Sequence, residues 1–137
     1  MIVPCMSEIC AEIAVVDDEA PVRKALGRLL GAYGFTVATF ASGEEFLQSL
    51  QQHRPDCAIV DLHLPGLSGI EVQQRLTQQR ISLPCILFTG KDEPGVEGSA
   101  LAAGAAAYLR KPVDEELLLA TISSAVPDPH KSKKAQP

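Results

Sequence analysis

Five short apolar segments alternate along this chain with five segments of helical pattern, and this alternation restricts the fold more than any other feature. The predicted strands are 12–16, 35–40, 56–61, 84–89 and 106–110. A helix between two strands returns the chain to the starting edge, so successive strands run parallel. Right-handed crossovers then place helices on both faces of the sheet. We therefore predict an α/β fold with a doubly wound, five-stranded parallel sheet.

Local signals mark where the helices begin and end. Pro21 suits a first turn, because its φ is fixed and it lacks an N–H, and Gly34 suits a left-handed cap. Ser42 and Ser68 each precede a glutamate by three residues, which is the spacing of a capping box. The fourth helix, over 94–103, contains glycines that lower its helix propensity, so we expect it to be the loosest.

Length and charge limit the class of protein. The 137 residues suit one domain, which we place at 11–126, between an N-terminal extension at 1–10 and a disordered tail or truncated linker at 127–137. The net charge of −5 argues against a nucleic-acid binder, since phosphate contacts need a basic surface.

No apolar run approaches a membrane span of about 18–20 residues, and 1–10 lacks the pattern of a secretory signal. We expect a cytoplasmic protein.

The four cysteines lack the paired spacing of a zinc site. Cys57 and Cys85 lie inside predicted strands, four residues before Asp61 and Thr89. We expect both to be buried, reduced thiols and, if those strand ends are in register, lateral neighbours. For Cys5 and Cys10 the sequence suggests no role.

Polar side chains gather where the predicted strands end. Asp17 and Asp18 follow the first strand, Asp61 ends the third, Thr89 ends the fourth and Lys111 follows the fifth. Because the carboxyl ends of parallel strands meet at one edge, these side chains should converge where such sheets bind ligands. Each alone has a plainer explanation, as a cap, a helix-terminal acid, a strand residue or a solvated charge. Only the set favours a functional site.

The chemistry of this set is restricted. Three crowded carboxylates repel one another, and a divalent cation relieves that repulsion. Oxygen ligands without His or Cys select a hard ion such as Mg²⁺, which leaves coordination positions for a phosphoryl oxygen. The metal, Lys111 and Thr89 can then hold the three equatorial oxygens of a phosphoryl group in transfer. A carboxylate can be the nucleophile, and Asp61 is the natural candidate for an aspartyl-phosphate.

Four separated motifs give the chain a family resemblance. They are Val-Val-Asp-Asp-Glu at 15–19, Val-Asp-Leu-x-Leu-Pro-Gly-x-x-Gly at 60–69, Thr-Gly at 89–90 and Lys-Pro at 111–112. In this order they resemble the receiver domain of two-component response regulators, over about residues 11–126. The helix over 21–26 and Phe-Thr-Gly at 88–90 resemble the FixJ-type subgroup. The resemblance implies a flavodoxin-like fold with strand order 2-1-3-4-5.

The resemblance also implies a role for each motif residue at the metal site. Asp61 would be the phosphoacceptor and a ligand of Mg²⁺. Asp18 would bind the metal directly and Asp17 mainly through water, with the backbone carbonyl of His63 as a further ligand. The side chains at 63 and 91 occupy positions that tune phosphate lifetime in this family, and Gly90 stands where alanine is common.

The remaining motif residues would form a switch. By resemblance, Thr89 reorients toward the phosphoryl group, Lys111 pairs with it, and Tyr108 turns inward when Thr89 moves. Taken alone, Tyr108 reads more simply as half-buried packing on the fifth strand. The peptide bond between Lys111 and Pro112 would be cis, a form largely confined to X-Pro bonds.

The resemblance predicts the partners of the chain. A sensor histidine kinase would donate the phosphoryl group. The face formed by the fourth helix, fifth strand and fifth helix would then bind a downstream protein, an output domain or a second copy as a phosphorylation-dependent homodimer. We expect no membrane partner, no nucleic acid bound by this chain alone, and no enzymatic activity beyond self-catalysed phosphoryl acceptance and autodephosphorylation. FixJ-type proteins continue into a helix-turn-helix domain, so the chain is either a stand-alone receiver or a fragment.

Two rival functions remain open at this stage. A Mg²⁺-dependent phosphohydrolase also forms an aspartyl-phosphate, but it usually carries a second acid two residues after the nucleophile. That position is His63 here, which argues against this class. A DNA-binding regulator truncated to its receiver is the other rival, and a longer reading frame would reveal it.

Overall fold

The structure is a computed structural model and describes residues 11–91 and 93–126. Its strands are β1 Glu12–Val16, β2 Thr36–Phe40, β3 Cys57–Asp61, β4 Cys85–Thr89 and β5 Ala107–Arg110. Its helices are α1 Ala20–Ala32, α2 Gly43–Ser49, α3 Gly69–Gln78, α4 Val96–Ala102 and α5 Glu115–Ala125. All ten predicted elements are confirmed. The predictions for 1–10 and 127–137 lie outside the described residues.

All strand pairs of the sheet are parallel, and the order is β2-β1-β3-β4-β5. Every residue of β3 and β4 is buried, as expected for central strands covered on both faces. The doubly wound fold with order 2-1-3-4-5 is therefore confirmed. Among the described residues, no helix is long and apolar enough to cross a membrane.

Two apolar layers cover the sheet, one on each face. Alternate residues of β1 belong to different layers, since side chains of a strand point to opposite faces. One layer includes Ala14, Val16, Phe46, Val72, Leu76 and Leu87. The other includes Ile13, Val15, Leu30, Phe88, Leu118 and Ile122. The sheet is thus packed between α2, α3 and α4 on one face and α1 and α5 on the other.

The prediction that Cys57 and Cys85 are lateral neighbours is wrong. Asp61 pairs with Phe88 and Ala58 pairs with Cys85, so the ends of β3 and β4 are offset by one residue. A one-residue offset turns a side chain to the opposite face. Cys57 accordingly lies in the layer of α1 and α5, and Cys85 lies in the layer of α2 and α3. Both thiols are free and buried, and burial raises the pKa of Cys57 to about 12.

One of the two predicted capping boxes is complete. The Ser68 hydroxyl accepts the Glu71 N–H at 3.2 Å, and the Glu71 carboxylate accepts the Ser68 N–H at 2.9 Å. The Ser42 hydroxyl likewise accepts the Glu45 N–H, at 3.1 Å. The Glu45 carboxylate instead lies 3.4 Å from the N–H of Ala41, one residue too early, so this box is only half formed.

Gln73 is a buried polar residue of α3 that the sequence pattern did not reveal. It is 5% exposed, and its Oε1 is buried without a hydrogen-bond partner among the described residues. Its Nε2 donates to Thr77 Oγ1 at 3.3 Å, and Thr77 Oγ1 donates to the Ala103 carbonyl at 3.2 Å. Thr77 therefore connects α3 to the end of α4, and Gln73 supports it while leaving its own amide oxygen unsatisfied.

Gln73→Met is expected to raise the free energy of unfolding by about 1 kcal/mol, because it removes an unsatisfied buried oxygen at similar volume. Gln74→Met, a change at the exposed neighbouring position, is expected to stay within about 0.5 kcal/mol of the wild type. Urea unfolding followed by circular dichroism measures both. A clear loss of stability in Gln73→Met alone would show that the Nε2 contact outweighs the unsatisfied oxygen.

Candidate functional site

The structure brings Asp17, Asp61 and Lys111 into direct contact at the carboxyl edge of the sheet. Lys111 Nζ lies 2.9 Å from Asp17 Oδ2 and 3.4 Å from Asp61 Oδ2. These residues come from positions just after β1, at the end of β3 and just after β5, so three separate strands supply them. The predicted convergence of these residues is confirmed.

Asp17 and Asp18 differ sharply in their surroundings. Asp17 is fully buried, and its Oδ1 accepts the Glu19 N–H at 2.8 Å while its Oδ2 accepts from Lys111. The Asp18 side chain is exposed. One carboxylate oxygen from each of Asp17, Asp18 and Asp61 lies within 4.8 Å of the others. This spacing and the oxygen-only donor set fit a hard divalent cation.

Asp61 is 5% exposed, and its Oδ1 accepts the His63 N–H at 3.2 Å. Burial raises the pKa of Asp61, and the negative charge of Asp17 adds to this, although Lys111 acts in the opposite direction. Burial alone would lower the pKa of Lys111, but its hydrogen bond to Asp17 and the charge of Asp61 outweigh it, so that pKa rises. The site therefore holds a firmly charged ammonium beside a carboxylate whose ionised form is poorly solvated.

Thr89 lies at the same edge, but its hydroxyl is engaged within its own loop. It is 1% exposed, and its Oγ1 accepts the Lys91 N–H and donates to the Lys91 carbonyl, both at 3.0 Å. Within residues 11–91 and 93–126, no hydrogen bond joins Thr89 to Asp61. A contact with a group on Asp61 would require the hydroxyl to leave Lys91.

Tyr108 is 7% exposed and belongs to the layer of α2 and α3. The side chain therefore already lies inward, which differs from the expectation that it turns inward only on switching. Ala100 and Ala105 are buried in the same layer. The guanidinium of Arg110 stacks at 5.4 Å from the ring centroid. A switching role for Tyr108 stays a prediction.

One contact links two of the loops around the site. His63 Nε2 lies 3.4 Å from the Lys91 carbonyl, which connects the β3–α3 loop to the β4–α4 loop. The role of the His63 backbone carbonyl stays a prediction. The peptide bond between Lys111 and Pro112 is cis, as predicted.

Two residues, one of them the last glycine of the motif at 60–69, shape the site in ways that the sequence did not predict. Arg23 Nη1 donates to the backbone carbonyl of Asp17 at 2.7 Å. Gly69 packs against the backbone of Asp61, where a Cβ would lie 2.6 Å from the Asp61 carbonyl oxygen. The signal for Arg23 is a cation in the first turn of a helix beside two acids, and the signal for Gly69 is a glycine inside a capping box.

Comparison with known proteins agrees with the fold. Residues 13–123 match the family described as the response regulator receiver domain. The transcriptional regulatory protein FixJ of Bradyrhizobium diazoefficiens is 33% identical over 124 residues, which cover 90% of this chain and 60% of that protein. FixJ of Rhizobium meliloti is 34% identical over 113 residues, which cover 82% of this chain and 55% of that protein. The chain thus spans 55–60% of the length of these relatives.

Solved structures show the same arrangement of strands and helices. The crystal structure of FixJ-N matches with a TM-score of 0.78 at 33% identity, covering 84% of this chain and 92% of that chain. A chemotaxis response regulator of Vibrio cholerae matches with a TM-score of 0.76 at 30% identity, covering 85% of this chain and 99% of that chain. On this evidence the chain belongs to the family of response regulator receiver domains of two-component systems, and the FixJ proteins are among its relatives.

Proposed function

We propose that this domain accepts a phosphoryl group on Asp61 from a sensor histidine kinase in the cytoplasm and so switches its binding surface. One observation carries the proposal: Asp61 lies almost buried at one edge of the sheet, with two further acids and Lys111 gathered around it. An acid in such a place raises the energy of the unmodified protein, since desolvation and Asp17 both disfavour its charge. A site that costs stability in this way is typical of a functional rather than a structural role.

The three carboxylates also support a role for Mg²⁺. Asp18 and Asp61 would hold the ion directly with their side chains and Asp17 mainly through water, and the backbone carbonyl of His63 would complete the protein ligands. Bound there, Mg²⁺ supplies positive charge that offsets the carboxylates and the developing charge on the phosphoryl oxygens. No sulfur or imidazole nitrogen belongs to this donor set, which favours Mg²⁺ over softer metals.

The chemical step requires little from the protein beyond position and charge. An Asp61 carboxylate oxygen attacks the phosphorus of a phosphohistidine, an O–P bond forms, and the P–N bond to the departing imidazole breaks. Lys111 already lies 3.4 Å from Asp61 Oδ2 and would pair with a phosphoryl oxygen there. Because the product carries about −1.5 to −2 charges at one point, Lys111 gains a stronger partner than the carboxylate it now contacts.

Thr89 and α4 would convey the change to the surface. To contact the phosphoryl group, the Thr89 hydroxyl would have to break its two hydrogen bonds with the Lys91 backbone. The loop that leads into α4 would then change its conformation. Helix α4 has seven residues, a glycine at its N-cap and another inside, so its local stability is low. The face formed by α4, β5 and α5 would then bind a downstream protein, an output domain or a second copy differently.

Intact-mass spectrometry tests this proposal. The chain is incubated with acetyl phosphate or a phosphorylated histidine kinase, with Mg²⁺ or with EDTA. We expect one phosphoryl adduct that requires Mg²⁺ and that maps to the peptide containing Asp61. No adduct, or an adduct on a hydroxyl residue, would contradict the proposal. Steady turnover of small phosphoesters would instead support a phosphohydrolase, since we expect only acceptance and slow loss of the group by the chain itself.

A further inference from the structure

Arg23 occupies an electrostatically unfavourable place in α1. Its backbone N–H donates to the carbonyl of the N-cap residue Glu19 at 3.1 Å, so Arg23 lies in the first turn. A helix N-terminus carries partial positive charge and favours acids over cations. The first turn of α1 has no acidic residue, and Glu19 makes no side-chain cap hydrogen bond. The first turn therefore offers this guanidinium no favourable charge, and its contacts lie outside the helix.

The side chain of Arg23 returns past the start of the helix to the loop after β1. Its Nη1 donates to the Asp17 carbonyl at 2.7 Å, in a part-buried setting. This is at the short end for an N–H···O bond and is assisted by the positive charge of the donor. The accepting oxygen belongs to the peptide that joins Asp17 to Asp18, so Arg23 fixes the orientation of that peptide.

Asp18 depends on this peptide more than Asp17 does. Both carboxylate oxygens of Asp17 accept hydrogen bonds, from Glu19 and from Lys111. For the exposed Asp18 carboxylate, no hydrogen bond or ion pair is found within the described part of the chain. The direction of the Asp18 side chain is therefore set by its backbone. Two side chains hold that backbone: Asp17, through the Glu19 N–H, and Arg23, through the Asp17 carbonyl.

We infer that Arg23 is a positioning residue, which holds the Asp17–Asp18 peptide so that Asp18 faces the proposed cation site. The inference rests on the proposed function, because it concerns the same site. It predicts a change in Mg²⁺ affinity on loss of Arg23 that is opposite to the change expected from the charge of Arg23 alone. A cation near a cation site repels the ion, so removing its charge alone would strengthen metal binding. Loss of positioning would weaken metal binding.

Isothermal titration of the whole chain with MgCl₂ separates the two effects. We expect Arg23→Ala to raise the Kd for Mg²⁺ about tenfold, the size seen when a residue that orients a metal ligand is lost. Arg23→Lys keeps the charge and one donor, and should recover part of the affinity. The matched control is Lys24→Ala, which removes the same charge from an exposed neighbouring position and should leave the Kd unchanged or slightly lower.

A second readout comes from phosphoryl uptake at increasing Mg²⁺. Arg23→Ala should need about tenfold more Mg²⁺ for half-maximal uptake from acetyl phosphate, with a similar rate at saturation, because only ligand orientation is lost. Circular dichroism checks that the variants are folded. If Arg23→Ala does not fold, Arg23→Lys is used for the test in its place. Mg²⁺ binding by Arg23→Ala as tight as, or tighter than, that of the wild type would overturn the inference. Failure of the wild type itself to bind Mg²⁺ would overturn the proposed function instead.

Discussion

Asp61→Asn is expected to abolish phosphoryl uptake completely and, at the same time, to make the metal-free protein more stable at neutral pH. The asparagine amide is not a nucleophile for phosphorus under these conditions, so no adduct should appear by intact mass. The gain in stability follows from the surroundings of Asp61, since burial and Asp17 disfavour its charge. Lys111 loses its contact at 3.4 Å but keeps the closer one, at 2.9 Å, to Asp17.

The dependence of this gain on pH has a definite sign. The pKa of Asp61 is raised in the folded protein, so its contribution to stability is fully present below the unfolded pKa, about 3.9. It is lost as the pH rises through the folded pKa. Asparagine does not titrate, so wild type and variant should have similar stability at acid pH and diverge as the pH approaches 7, with the variant more stable.

Denaturant unfolding in EDTA from pH 3.5 to pH 8, followed by circular dichroism, measures this divergence. Glu93→Gln is the control, because it neutralises an exposed acid and should show no such divergence. Saturating Mg²⁺ should reduce the difference in unfolding free energy between Asp61→Asn and the wild type, since a ligand that binds the folded wild type stabilises it. A variant that is less stable than the wild type at pH 7 in EDTA would contradict the expectation.

The convergence of the site could be predicted because it depends only on topology. Parallel strands joined by helices end at one edge, so residues that follow β1, β3, β4 and β5 must meet there whatever the details of packing. The complete capping box at Ser68 was equally predictable, since its signal is local. What these features share is that neither requires knowledge of which face a side chain points to.

Three features that were not predicted depend on the direction of a side chain. Every residue of β3 and β4 is buried, so their apolar runs do not distinguish one face from the other, and the one-residue offset between Asp61 and Thr89 left no trace in the sequence. The contact from Arg23 to the Asp17 carbonyl depends on a long side chain turning back along its helix. The inward position of Tyr108 depends on how α4 packs against β5, which the weak helix signal at 94–103 did not specify.

Gly69→Ala is expected to destabilise the protein by about 2–3 kcal/mol and to slow phosphoryl uptake as well. Gly69 is the first residue of α3, and its N–H donates to the Leu62 carbonyl at 2.9 Å. An added Cβ would lie 2.6 Å from the Asp61 carbonyl oxygen and 2.9 Å from Leu62 Cα. Both are backbone atoms, so no side-chain rotation relieves the contact, and either α3 or the end of β3 must move.

One of these atoms, the carbonyl oxygen, belongs to Asp61, the proposed nucleophile, and the other to the next residue, which ties the stability loss to function. A shift of about 1 Å in a reacting group can cost up to roughly 100-fold in rate, so uptake from acetyl phosphate should fall by at least about tenfold in protein that remains folded. Gly98→Ala is the matched control, because nothing lies within 4 Å of the added Cβ in α4. It should stabilise the protein by about 0.5–1 kcal/mol through helix propensity. If urea unfolding shows that both alanine substitutions change the free energy of unfolding in the same direction, the close approach of α3 to Asp61 is not what requires a glycine at position 69.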